Sequence, residues 1–186
     1  IANLAIHAQE KTGEWNGCDR YDFTFKDRQA IVVVPKQAAK GNPWIWRPAF
    51  FDAFPSVDKA LLEKGFHIVY YDVTHLYGSP RAVALRTDFY HEMVARYGLS
   101  DKVTLEGFSR GGLFAFNWAA QNTDKVACIY VDAPVCDVFS WPGRNASLWN
   151  DLLKEWNLTD ADMNSFKGNP IDNLAPIASA GIPIIS

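Results

Sequence analysis

The chain has 186 residues, 48% of them hydrophobic and 21% charged, with a formal net charge of −3 at pH 7. That length can bury one substantial core without disulfide or metal staples, so one domain is expected. The mildly acidic balance and the absence of basic runs speak against nucleic acid or an anionic membrane as partner, and no apolar run reaches the roughly twenty residues of a membrane helix.

Residues 1–20 read as an N-terminal extension. Within it, Leu4-Ala5-Ile6-His7-Ala8-Gln9 is similar to the small-residue end of a secretory signal peptide. A secreted or periplasmic location is therefore expected, with the cytoplasm as the alternative. Residues 21–25 alternate like a strand, and residues 29–35 carry the β-branched run Ile31-Val32-Val33-Val34, with Asp27-Arg28 as the turn between them. Trp44-Ile45-Trp46 reads as a third strand. Phe50, Phe54, Val57 and Leu61 recur at helical spacing up to a stop at Gly65, and residues 66–73 form the next strand.

A long helix follows over residues 80–97, with Leu85, Phe89 and Met93 on its inner face and Arg81, Arg86 and Arg96 toward solvent. Residues 103–105 form a strand, residues 112–121 an apolar helix, and residues 126–131 a nearly continuous apolar strand of the kind found at the centre of a parallel sheet. From residue 132 the alternation breaks into a Trp- and Asn-rich stretch, helical around 148–156, which gives a lid-like insertion at 135–175. Residues 182–185 begin a last apolar strand with an exposed edge. Alternating strands and helices imply an α/β fold with a doubly wound, mostly parallel sheet, and ligands should collect at the carboxyl ends of its strands.

Between the strand at 103–105 and the helix at 112–121 lies Gly107-Phe108-Ser109-Arg110-Gly111. A G-x-S-x-G at a strand-to-helix turn is a nucleophile elbow, which lifts the serine oxygen clear of the backbone while the helix N-terminus aims free N–H groups at the reacting centre. Ser109 is the expected nucleophile. The first oxyanion donor is expected to be the backbone N–H of Arg110, and the second that of Trp46, with Arg47 as the alternative because Pro48 has no N–H.

The order of strands, elbow and helix from Tyr21 to Ser186 resembles the α/β-hydrolase fold. More narrowly, Pro43-Trp44-Ile45-Trp46-Arg47, Gly107-Phe108-Ser109-Arg110-Gly111-Gly112, Asp132-Ala133-Pro134-Val135-Cys136-Asp137 and Gly168-Asn169-Pro170-Ile171-Asp172 resemble a bacterial group of α/β-hydrolases associated with carbohydrate degradation. The resemblance implies that an acid and then a histidine follow the serine. His7, His67, His75 and His91 all precede Ser109. The expected base therefore lies beyond Ser186, in a C-terminal part that this chain lacks or that a second chain supplies. Asp132, at the end of the strand after the elbow helix, is the candidate acid within the chain, with a loop-capping carboxylate as the alternative.

The remaining candidates bind substrate. Arg110 directly after the nucleophile resembles the glucuronoyl-esterase elbow, which implies a guanidinium that helps hold developing negative charge; it can instead pair with a substrate carboxylate or bridge to a neighbouring acid. Arg47 is read in the same way, as a substrate contact. Of Trp141, Trp149 and Trp156, at least two pack the insertion onto the domain, and Trp141 is expected to face a ligand. Cys18, Cys128 and Cys136 lack metal-ligand spacing and read as free thiols, with a Cys18 to Cys136 bridge as the alternative. No metal and no organic cofactor are implied. The expected activity is a carboxylic-ester hydrolase on a small-molecule or carbohydrate ester, with a peptidase of the same fold or a non-catalytic binding module as alternatives.

Overall fold

The structure, a computed structural model, describes residues 10–186; the stretch likened to a signal peptide lies outside them. In chain order the elements are β1 (Gly13–Trp15), β2 (Cys18–Phe25), β3 (Arg28–Val34), β4 (Trp44–Arg47), α1 (Ser56–Glu63), β5 (His67–Tyr71), α2 (Pro80–Tyr97), β6 (Val103–Phe108), α3 (Gly111–Gln121), β7 (Val126–Asp132), α4 (Ala146–Trp156), α5 (Leu174–Ser179) and β8 (Ile184–Ile185). They build one eight-stranded sheet in the order β1-β2-β3-β5-β4-β6-β7-β8. The first strands run antiparallel up to the β3–β5 pair, and from β5 to β8 every pairing is parallel. The sheet thus starts at Gly13, ahead of the expected Tyr21.

Strand alternation divides the core into two faces. Ala30, Val32, Trp44, Trp46, Val69, Tyr71 and Leu105 pack with α2 and α3, while Ile31, Val33, Ile45, Ile68 and Tyr70 pack with Leu62 of α1. Each large apolar side chain buried this way contributes about 1.5–3 kcal/mol. The insertion shares the first core: Val138, Trp149, Leu152 and Met163 are buried within it, beside Ile177 of α5.

Three expectations are corrected. The β2–β3 turn is Lys26-Asp27, with φ of 46° and 60°, because Arg28 already pairs with Phe25. Such left-handed pairs match the twist of a hairpin. The helix expected from Phe50 begins only at Ser56, since Phe50, Asp52 and Phe54 adopt φ of 55°, 68° and 49°. Arg86 does not face solvent but is fully buried. β7 has a parallel neighbour on each side, β6 and β8, and Ile184 and Ile185 of β8 are 49% and 53% exposed.

His67 is buried in β5, with its Nδ1 3.3 Å from the Pro43 carbonyl. Burial lowers its pKa from 6.5 to about 4. In that window the unfolded chain binds the proton and the folded one does not, so stability falls as pH drops from 6.5 to about 4. The loss should approach about 3 kcal/mol, at 1.36 kcal/mol per pH unit. Urea unfolding across this range should show that slope in the wild type and lose it in His67→Gln.

Candidate active site

β6 ends and α3 begins around one strained residue. Ser109 has φ 51°, whereas Arg110 is already helical at φ −57° and ψ −16°. A left-handed serine is unfavourable by about 1 kcal/mol or more and must be held by its surroundings. Three hydrogen bonds do this: the Ser109 N–H donates to the Asp132 carbonyl at 3.0 Å, and the Ser109 carbonyl accepts from Val135 N–H at 2.8 Å and from Gly112 N–H at 3.0 Å.

The glycines serve close approach, not the turn itself. A Cβ on Gly107 would lie 3.0 Å from Val131 Cγ1, and one on Gly111 would lie 3.1 Å from Pro48 Cγ. On Gly112 it would meet the Val135 carbonyl oxygen at 2.6 Å. The elbow is therefore wedged between the loop after β4 and the loop after β7.

Ser109 is half-buried, and its hydroxyl makes no hydrogen bond among the described residues. Among those residues no histidine contacts it. His67 is bonded to Pro43, His75 is exposed on the turn after β5, and His91 packs edge-on against Tyr90 on α2. Asp132 stands beside the elbow, paired in register with Phe108. Its backbone carbonyl holds Ser109, while its side chain is exposed without a described partner.

The Arg110 N–H lies at the start of α3, where orphan donors are expected, and is spent on no hydrogen bond among the described residues. Trp46 is the wrong second donor. It sits inside the ladder, between Val69 of β5 and Leu105 of β6, with its side chain fully buried. Among the described residues, the N–H groups of Ala49 and Phe50, in the loop that touches Gly111 through Pro48, donate no backbone hydrogen bond. The sequence offered one signal for this shift, the Pro48 break that ends the strand.

Above the elbow is an aromatic wall. The Arg110 guanidinium carbon lies 4.8 Å from the Phe50 ring centroid and 5.0 Å from that of Trp141. Phe108 meets both Phe50 and Phe54 edge-on at 5.6 Å, and Tyr77 stacks on Trp141 at 5.9 Å. Cation–π contacts fix the guanidinium while its N–H edge is left over, for no carboxylate pairs with Arg110 among the described residues. Trp141 thus lies beside Arg110 at the elbow. Trp149 is buried with its indole N–H on Asp160, and Trp156 donates to the Tyr77 carbonyl, so both pack the insertion.

Arg47 is not at this surface. It is 1% exposed and enclosed by Asp58 and Glu106, so it contacts no substrate. All three cysteines are free, and among the described residues no group of acidic, histidine and cysteine side chains is arranged to hold a metal.

A parallel sheet carrying a strained serine between strand and helix, with a helix N-terminus beneath it, defines the α/β-hydrolase class. The chain belongs to the alpha/beta hydrolase fold family, whose profile matches residues 41–172. Comparison with curated protein sequences finds no match. Among solved structures, the chain is similar to lipase A of Candida antarctica in its closed state, at 19% identity and a TM-score of 0.58 over 88% of this chain and 50% of that one. It is also similar to the fluorophosphonate-binding serine hydrolase F of Staphylococcus aureus, at 15% identity and a TM-score of 0.60 over 88% of this chain and 74% of that one. Acetyl xylan esterase from Aspergillus awamori matches at 15% identity and a TM-score of 0.50 over 60% of this chain and 50% of that one. The chain spans about half the length of the lipase and the xylan esterase.

Proposed function

We propose that the protein is a serine ester hydrolase acting on a carbohydrate ester. The observation that carries this reading is the left-handed Ser109, its hydroxyl unengaged, at the head of α3 beside the free Arg110 N–H. Ser109 Oγ attacks the acyl carbon, its proton passes to a general base supplied from outside residues 10–186, and the carbonyl electrons move onto oxygen. The N–H groups of Arg110 and of Ala49 or Phe50 receive that oxyanion. The alcohol then leaves with the proton, and water releases the acyl group. No metal or organic cofactor enters these steps.

The carbohydrate part of the proposal is supported by the flat Trp141 indole and the free guanidinium edge of Arg110 beside the nucleophile. Asp132, whose backbone carbonyl holds the Ser109 N–H, is the carboxylate proposed to orient that base. The insertion at 135–175, which brings Trp141 over the elbow, is proposed to act as a lid.

The test is intact-mass measurement of the protein after treatment with a fluorophosphonate, with Ser109→Ala in parallel. A single adduct in the wild type and none in the variant is the expected result. An adduct that persists in Ser109→Ala would place the reactive nucleophile elsewhere, and none in either protein would leave a binding module as the better account.

A further inference from the structure

Arg47, Asp58 and Glu106 come from three different elements and meet in one buried cluster next to the elbow. Arg47 closes β4, Asp58 lies in α1, and Glu106 sits on β6 three residues before Ser109. The Arg47 Nη1 donates to Asp58 Oδ2 at 2.9 Å, and Nη2 lies 3.1 Å from Glu106 Oε1. Nη2 also donates to the Ala53 carbonyl at 2.8 Å, which closes the loop between β4 and α1 on itself.

One cation faces two carboxyl groups here. Among the described residues, Asp58 Oδ1 and Glu106 Oε2 are both buried without another hydrogen-bond partner. A proton on Glu106, donated to Asp58, satisfies both atoms and leaves one positive and one negative charge in the cluster. Burial first, and then the Asp58 charge, holds the Glu106 carboxyl well above the usual carboxylate range, and burial raises Asp58 as well. The other groups facing the cluster are Tyr130 and Asp132 of β7 and Asp52 of the loop. None is a cation, so nothing besides Arg47 compensates a second negative charge.

The loop that Arg47 closes reaches the candidate site. Ala53 N–H donates to the Phe50 carbonyl at 3.0 Å, Phe50 carries the Arg110 guanidinium, and Pro48 abuts Gly111. Ala49 and Phe50, the donors assigned above, lie between these anchors.

We propose that Arg47, Asp58 and Glu106 are positioning residues that clamp the loop at 48–55 against the Ser109 elbow and loosen it when their shared proton leaves. The effect on turnover rests on the hydrolase reading; the effect on the loop does not. With the proton gone, two carboxylates compete for one guanidinium in a desolvated site, and the Arg47 bond to Ala53 is the contact with least charge to hold it.

Hydrogen exchange of the loop amides, corrected for intrinsic rates, reads the clamp directly in the wild type, Glu106→Gln and Arg47→Lys at about pH 6 and about pH 9.5. Glutamine keeps a donor toward Asp58 but has no proton to lose. Wild-type protection should fall about tenfold between these pH values, within the usual range of coupling between sites, and stay within about twofold in Glu106→Gln. Arg47→Lys, without the two-pronged fork, should be poorly protected at both. The rate of fluorophosphonate labelling should fall with the same alkaline midpoint in the wild type and lose that limb in Glu106→Gln. Unchanged wild-type protection, or an equal fall in Glu106→Gln, overturns the proposal. If Glu106→Gln does not fold, the wild-type exchange profile decides alone, a fall centred near pH 8 supporting the clamp and a flat profile overturning it. Loop exchange as expected without any labelling supports the clamp and defeats only the hydrolase reading.

Discussion

Gly112→Ala is expected to lower the unfolding free energy by about 2 kcal/mol and to abolish labelling of Ser109. The added Cβ would meet the Val135 carbonyl oxygen at 2.6 Å, Pro134 Cβ at 2.8 Å and Val135 nitrogen at 3.0 Å. Two of these atoms are backbone, so no flexible side-chain end can swing away. Relief requires the strand-to-loop segment after β7 to retreat from α3. That segment is what keeps the serine in place: Val135 N–H holds the Ser109 carbonyl and the Asp132 carbonyl holds the Ser109 N–H. Retreat breaks the first bond and frees a residue at φ 51° to relax toward ordinary backbone, which lowers the hydroxyl from its raised position. Gly13→Ala, with nothing within 4 Å of its Cβ among the described residues, is the control and should stay within about 0.5 kcal/mol of the wild type. Urea unfolding and adduct mass on the same preparations check the result. Undiminished labelling in Gly112→Ala would show that the elbow does not depend on this wedge.

Much of this architecture was legible because local patterns and tertiary structure agree. α2 keeps the expected bounds, since Ser79 caps its start by accepting from Ala82 N–H, Pro80 fits its first turn and Gly98 ends it at φ 61°. The elbow was legible for the same reason, a patterned strand and an apolar helix bracketing five residues. The failures share a different cause. Phe50 and Phe54 match helical spacing, but they face the aromatic wall at the elbow, and left-handed residues at 50, 52 and 54 keep the backbone out of a helix. Arg47 looked like a surface cation because its two acids come from α1 and β6, and pairings between elements leave no periodic trace. The general base has no candidate in contact with Ser109 among the described residues, and the order of a fold family could place it only by resemblance.

Arg86 shows how residue type can mislead where spacing does not. Ala82, Arg86, Phe89 and Met93 are all buried and lie on one stripe of α2, so the helical period put Arg86 inside while its charge suggested solvent. Its guanidinium carbon sits 3.6 Å from the Trp46 ring centroid, and Nε, Nη1 and Nη2 make no hydrogen bond among the described residues. The cation–π contact is worth about 2 kcal/mol when desolvated, whereas each unsatisfied buried donor costs about 1–3 kcal/mol and the buried charge several more. The penalty wins. Arg86→Met, close in volume and free of polar atoms, is therefore expected to raise the unfolding free energy by about 1–4 kcal/mol at neutral pH. The gain should itself depend on pH. Burial lowers the Arg86 pKa to about 9, with Tyr71 opposing the shift, so the folded wild type sheds its buried charge above that value while the unfolded chain keeps its proton. Wild-type stability is then recovered as pH rises through 9, and the advantage of Arg86→Met narrows. Paired urea titrations of wild type and variant at about pH 7 and about pH 10 measure both effects. A methionine variant less stable than the wild type at neutral pH would mean that the stack on Trp46 outweighs the cost of burying an arginine with no acceptor.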